Sequence, residues 1–341
     1  MEYLIKDEND RKDVKKYLKS KYKYLRDAYK QTSGEDAKGN GMSIGRNAFS
    51  ALMQACGDLV DGKTLKLSDV DLGLISVKAA DAKKGNKNIP VDQLIRYNFL
   101  EVQIRLAEQK FIKSGICKTF FEAVSKMLDT FILPRFQSTD SHIKRVNNIW
   151  REECDLSIKR QYRTIQKLYE KYTGRFALPS APQFMSPIEF SEMVEKSRVV
   201  NDYFTFKEIY PIWNLSMMTQ EDEINSDKHL NMNFTEFIEA ICRVSDKLSV
   251  PHIIDDKDDI GEDFDEEDMN NPELVAKWSQ RSIGYKLESF LLILAQNCLS
   301  QKYYKDHAIP TLYKFKAEET VYANDLEVSG KYKDTTGVTI K

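Results

Sequence analysis

An all-α protein of two tandem helix–loop–helix domains plus a C-terminal helical extension is the fold the sequence predicts. Three observations predict it. The 341 residues hold only 14 glycines and 9 prolines, too few for a turn-rich β fold. Apolar residues recur every three or four positions along the longer segments, the period of a helix with one buried face. Four short blocks also recur in the same order, with an offset drifting from 143 to 138 residues between block starts. Self-similarity at such an offset marks a duplication. The chain is long enough for each copy to bury its own core.

Bulk composition excludes several functional classes. The net charge of −2 provides no general attraction for nucleic acid, and 30% charged against 41% apolar residues describes a folded, water-compatible chain. The N-terminal stretch "MEYLIKDENDRKDVKK" has no apolar core of a signal peptide. The most apolar run, "ESFLLILAQNCL", is too short to span a bilayer, so no membrane partner is expected and the expected location is intracellular. Cys56, Cys117, Cys154, Cys242 and Cys298 show no ligand spacing and read as buried free thiols of a reducing compartment. There is no phosphate-binding glycine loop, no GxSxG and no HExxH, and the four histidines are scattered. The chain is therefore expected not to be an enzyme.

The elements follow in order. The first domain, 1–150, opens with a basic helix, "RKDVKKYLKSKYKYLRDAYK" (11–30), with Tyr17, Tyr24 and Leu25 as its buried side. Its lysines and tyrosines also suit docking on an acidic surface. Its end, "YLRDAYKQTSG" (24–34), matches "KLYEKYTG" (167–174), pairing Leu25, Tyr29 and Gly34 with Leu168, Tyr172 and Gly174. "AFSALM" (48–53) matches "EFSEMV" (189–194), and "TLKLSDV" (64–70) matches "YFTFKEI" (203–209). "FLEVQIRLAE" (99–108) matches "FIEAICRVSD" (237–246), with Glu101 and Arg105 against Glu239 and Arg243. A further amphipathic helix is expected over 109–135, ended by Pro134. The second domain, 151–254, has its lead helix at 151–174, with Ile158, Tyr162, Ile165, Tyr169 and Tyr172 on one face and Gly174 as a left-handed cap. A proline-rich linker, 175–187, lies inside this copy. Residues 255–272 form an acidic linker, with ten acidic side chains among the fourteen of 255–268. In the extension 273–341, Trp278, Tyr285, Phe290, Leu291 and Leu294 would cover the second domain or a neighbour, and an extended tail follows.

One stretch has the frame of a metal-binding loop. "NSDKHLNMNFTE" (225–236) places Asn225, Asp227, His229, Asn233 and Glu236 at positions 1, 3, 5, 9 and 12 of a twelve-residue calcium loop, with Met232 at the apolar position 8. The candidate ligands are Asn225, Asp227, Asn233 and Glu236. His229 offers nitrogen where calcium takes oxygen, and Leu230 stands where the turn needs glycine. Only Asp227 and Glu236 are charged. The windows 58–69 and 197–208 carry Leu65 and Phe204 at position 8 but Val60 and Val199 at a ligand position, and Asn98 ends the first-copy counterpart of 225–236. This is a helix–loop–helix frame largely stripped of metal chemistry, with calcium at 225–236 as the one cofactor left open.

With "KTLKLSDVDL", "YNFLEVQIRLAEQKFI", "LYEKYTGR" before "MSPIEF", and "NLSMMTQEDEINSDKHLNMNFTEFIEAICRVSDK", the chain resembles divergent tandem EF-hand-like proteins of ciliary and flagellar axonemes, over residues 20 to 250. The resemblance implies a non-catalytic structural or adaptor component of a large assembly, docked on tubulin, on microtubules or on axonemal complexes. The alternative is a calcium sensor that uses the 225–236 loop to regulate a partner through exposed apolar grooves.

Overall fold

The computed structural model describes residues 1–36, 41, 43–83, 93–175, 182–218, 226, 228–252 and 268–307. The acidic stretch up to residue 267 and the tail lie outside the described residues.

In the first unit, α1 (Glu8–Glu35) starts at Asp7, whose side chain accepts the Asp10 N–H. Strand β1 (Ile44–Gly45) leads into α2 (Arg46–Ala55), a turn leads to α3 (Leu67–Lys83), and β2 (Gln93–Leu94) leads into α4 (Arg96–Ala107). β1 and β2 pair antiparallel, with Ile44 opposite Leu94. α4 runs on as a π-turn to Ile112, and the chain then reverses at Gly115, whose φ is +76°. Thr119 and Glu122 form a capping box that starts α5 (Phe120–Met127). A π-turn and a 3₁₀ segment extend α5 to Thr139. The one helix expected over 109–135 is thus broken by a left-handed glycine. Pro134 stands in the first turn of the 3₁₀ segment, so α5 with its π-turn ends at Ile132 just before it and the chain goes on as 3₁₀.

A short α6 (Ser141–Lys144) and its π-turn lead to α7 (Glu152–Arg160) and α8 (Tyr162–Tyr172), which are separated by a kink at Gln161. Gly174 takes the left-handed conformation that its position predicts, with φ +71°. Met185 and Met232 form an isolated antiparallel bridge, and each precedes a helix: α9 (Pro187–Lys196) and α11 (Phe234–Lys247). α10 (Ile209–Ser216) lies between them; α12 (Pro272–Ser279), α13 (Ile283–Cys298) and α14 (Gln301–Asp306) follow.

The two units repeat one plan, and the structure corrects its register in two places. The partners of Leu94 and Met232 are Ile44 and Met185. Leu65 and Phe204, expected at the apolar loop position, sit instead in tight turns between helices. The Asp61 carboxylate accepts the N–H groups of Lys63, Thr64 and Leu65, and the Asn201 side chain accepts those of Tyr203 and Phe204. Along the lead helices, buried Val14, Leu25, Ala28 and Thr32 correspond to buried Cys154, Ile165, Leu168 and Tyr172, a constant step in number. Matching Leu25 to Leu168 by sequence slips that register by nearly one helical turn, which keeps the apolar stripe on its face and so goes unnoticed.

Each unit has its own core, one spanning Ile5 to Phe136 and the other Ile149 to Cys298. α5 packs on α1 and α4, and α13 packs on α7, α8, α9 and α11, so each helix–loop–helix pair is filled by a later helix of the same chain. Trp278, Phe290, Leu291 and Leu294 are buried in the second core, which settles where the extension packs; Tyr285 is exposed, edge-on to His252. All five cysteines are buried and free. Tyr24, expected inside, is exposed, and Tyr17 is half-buried. No helix among the described residues is long and apolar enough to cross a membrane.

The units meet where the end of α1 lies on α10. The Asn214 amide donates to the Lys30 carbonyl, the Ser33 hydroxyl and the Gly41 carbonyl, and the Lys30 ammonium donates to the Met217 carbonyl at the end of α10. Nearby, Arg145 pairs with Glu239, which also holds Arg243; Arg145 reaches the Leu215 carbonyl as well. In the first unit the matching pair Glu101–Arg105 holds Tyr3, so in both copies this pair gathers the segment that precedes the lead helix.

Burial, with Arg26, Arg145 and Arg96 nearby, pulls the Lys30 ammonium down to about 7. From there up to its ordinary value the unfolded chain keeps a proton that the folded chain has lost, so stability rises with pH. Above about pH 8.5 the opposite effect enters, because burial holds the thiols of Cys56 and Cys298 up to about 11 while unfolded thiols ionise. Between pH 7 and 8.5 the unfolding free energy is therefore expected to rise by about 1 kcal/mol. Lys30→Met should flatten this rise in urea titrations; an equal rise in the variant would assign it to another group.

Candidate functional site

The loop ends of the second unit define the candidate site. Met185 and Met232 exchange both backbone hydrogen bonds, at 3.1 and 2.9 Å. After each methionine comes a capping box that starts the next helix. Ser186 accepts the Glu189 N–H while Glu189 Oε2 accepts the Ser186 N–H at 2.7 Å. Asn233 accepts the Glu236 N–H at 2.9 Å while Glu236 Oε2 accepts the Asn233 N–H at 3.0 Å. In each case the remaining carboxylate oxygen reaches back across the loop. Glu189 Oε1 accepts the Arg175 N–H at 2.6 Å, just past Gly174, and Glu236 Oε1 accepts the Met218 N–H at 2.7 Å, just past α10. Both glutamates are buried, 1% and 0% exposed, so all four oxygens must be satisfied internally.

Each glutamate thus ties the start of its loop to its end, the task a metal ion performs in a calcium loop. The first unit does this with other groups. Asp36, one residue beyond α1, accepts the Gly45 N–H at 2.6 Å, and Lys78 donates to the Gln93 carbonyl at 2.6 Å. Asn98, buried where a loop glutamate would stand, accepts the Ile95 N–H. Tyr169 donates to the Met232 carbonyl at 2.9 Å; burial, with Glu236 and Glu189 nearby, pushes its phenol up to about 12 and keeps it a donor.

Of the four candidate ligands, Asn233 and Glu236 come together, as a helix cap. Asn225 and Asp227 lie outside the described residues. His229 sits in a short 3₁₀ turn with a ring nitrogen 3.1 Å from the Ser226 carbonyl. Among the described residues, no three histidine, cysteine, aspartate or glutamate side chains are grouped to hold a metal ion. Sequence reasoning missed Glu189, although Ser186-x-x-Glu189 before an apolar run is a capping-box signature.

Comparisons with protein-family models, curated proteins and solved structures found no match to the chain. Fold and loop geometry define a class, a predominantly helical protein of two joined helix–loop–helix units.

Proposed function

We propose that the chain is a non-catalytic adaptor of the ciliary axoneme, built from two EF-hand-like pairs and docked on microtubules or axonemal complexes. The observation that carries the adaptor reading is the use made of Glu236 and Glu189. Their carboxylates close the loops by accepting backbone N–H groups, which supports loops that hold their shape without calcium. Helices α5 and α13 pack on the helices of their own units, which supports pairs covered from within the chain rather than left open for a partner. The antiparallel bridge in each unit supports the EF-hand-like reading. The axonemal address rests on the resemblance of the motifs between residues 20 and 250.

Co-sedimentation with microtubules tests the adaptor reading; a chain that stays in the supernatant alone and with axonemal extract would overturn it. Calorimetric titration with calcium tests the competing sensor. Glu236→Gln should lower stability by about 1–3 kcal/mol, because an amide NH₂ would face a buried backbone N–H, and calcium should not change that loss. Heat that saturates at micromolar calcium and vanishes in the variant would put the sensor first.

A further inference from the structure

We propose that Lys15, Lys16 and Lys19 on α1, with Lys12 beside them, form a docking surface for an extended acidic polypeptide; the inference rests on the adaptor reading above. All four are exposed. Lys12, Lys16 and Lys19 are spaced four and three residues apart, so they share one face and span about 10 Å at about 1.5 Å per residue. Lys12 meets Glu8, and Lys21 and Lys23 meet Asp129 and Asp140. Lys15, Lys16 and Lys19 meet no carboxylate among the described residues. Like charges three and four apart on a helix repel, so the fold gains nothing from them.

The duplication supplies an internal control. α7 is to the second unit what this half of α1 is to the first: Cys154 is buried as Val14 is, and α7 lies on α13 as α1 lies on α5. Yet residues 152–160 carry three acids against two bases, where 12–20 carry four lysines against one aspartate. The two bases of α7 are also engaged, Lys159 by Asp155 and Arg160 by Glu288. The same packing is therefore made with the opposite sign outside, and the lysines answer to something beyond the fold.

The chemistry favours carboxylates on a polypeptide. Lysines are point charges that pair with single carboxylates one by one, without the bidentate fork that arginine offers to carboxylate and phosphate alike. An extended chain repeats same-side groups about every 6.5–7 Å, so two of its carboxylates fit along this stripe.

The test is fluorescence anisotropy of a labelled polyglutamate peptide with the full chain over a salt series. Wild type should bind, and more weakly as salt rises. The K15E/K16E/K19E variant should bind about tenfold or more weakly, and a Gln triple should fall between. A K159E/R160E control on α7 should bind as wild type does. Lys15, Lys16 and Lys19 are exposed and meet no carboxylate among the described residues, so the melting curve of the triple variants should be unchanged, whereas the control gives up two exposed ion pairs and should melt slightly lower. A wild type that ignores the peptide, a triple reversal that binds it equally, or tighter binding to duplex DNA or RNA would overturn the proposal. Microtubule pelleting that survives the triple reversal would sink this surface and leave the adaptor reading standing. Peptide binding without any pelleting would do the reverse.

Discussion

Replacing Phe290 by alanine is expected to lower the unfolding free energy by about 3–5 kcal/mol. The ring is fully buried in α13, a helix whose Leu287, Leu291 and Leu294 are also buried. Neighbours on several sides, α7, α8, α9 and α11, leave little room for collapse, so most of the volume removed stays as a cavity. Urea unfolding followed by tryptophan emission measures this directly. Trp213 and Trp278 are buried in the second core, while Trp150 is exposed and reports little. The midpoint should fall with its slope unchanged. A loss below about 1 kcal/mol would mean that α13 is a cover that peels away, and would restore the open groove a sensor needs.

How much of this could be read beforehand depends on what carries each feature. The helices and the duplication were legible because they rest on side-chain periodicity and on recurring pairs such as Phe49–Ser50 and Phe190–Ser191, near the starts of α2 and α9. The second-unit bridge was not, because Met185 stands in a proline-rich stretch that reads as a linker, and a one-residue bridge has no period. The break at Gly115 hangs on a single positive φ. The loop closures were hidden for a deeper reason. Glu236 and Glu189 are held by the N–H groups of Met218 and Arg175, and a backbone N–H carries no trace of residue identity. A carboxylate in a metal loop and a carboxylate in a capping box therefore look alike until their partners are seen.

Gly34→Ala carries the second large effect, expected at about 3 kcal/mol of destabilisation. Gly34 has helical backbone in the last turn of α1, so alanine, the better helix former, would ordinarily stabilise it. Here space decides. An added Cβ would lie 2.4 Å from the Pro211 nitrogen, 2.6 Å from its Cα and 2.8 Å from its ring. None of these atoms can swing aside as a flexible side-chain tip could, so α10 must retreat from α1. Retreat strains the Asn214 bonds to Lys30 and Ser33, and the Lys30 bond to Met217, which span the same joint. Loss of coupling should appear as a single unfolding transition splitting into two, the second unit reporting through Trp213 and Trp278 and the first through backbone circular dichroism. If alanine instead stabilises one undivided transition, the two units do not meet at this contact.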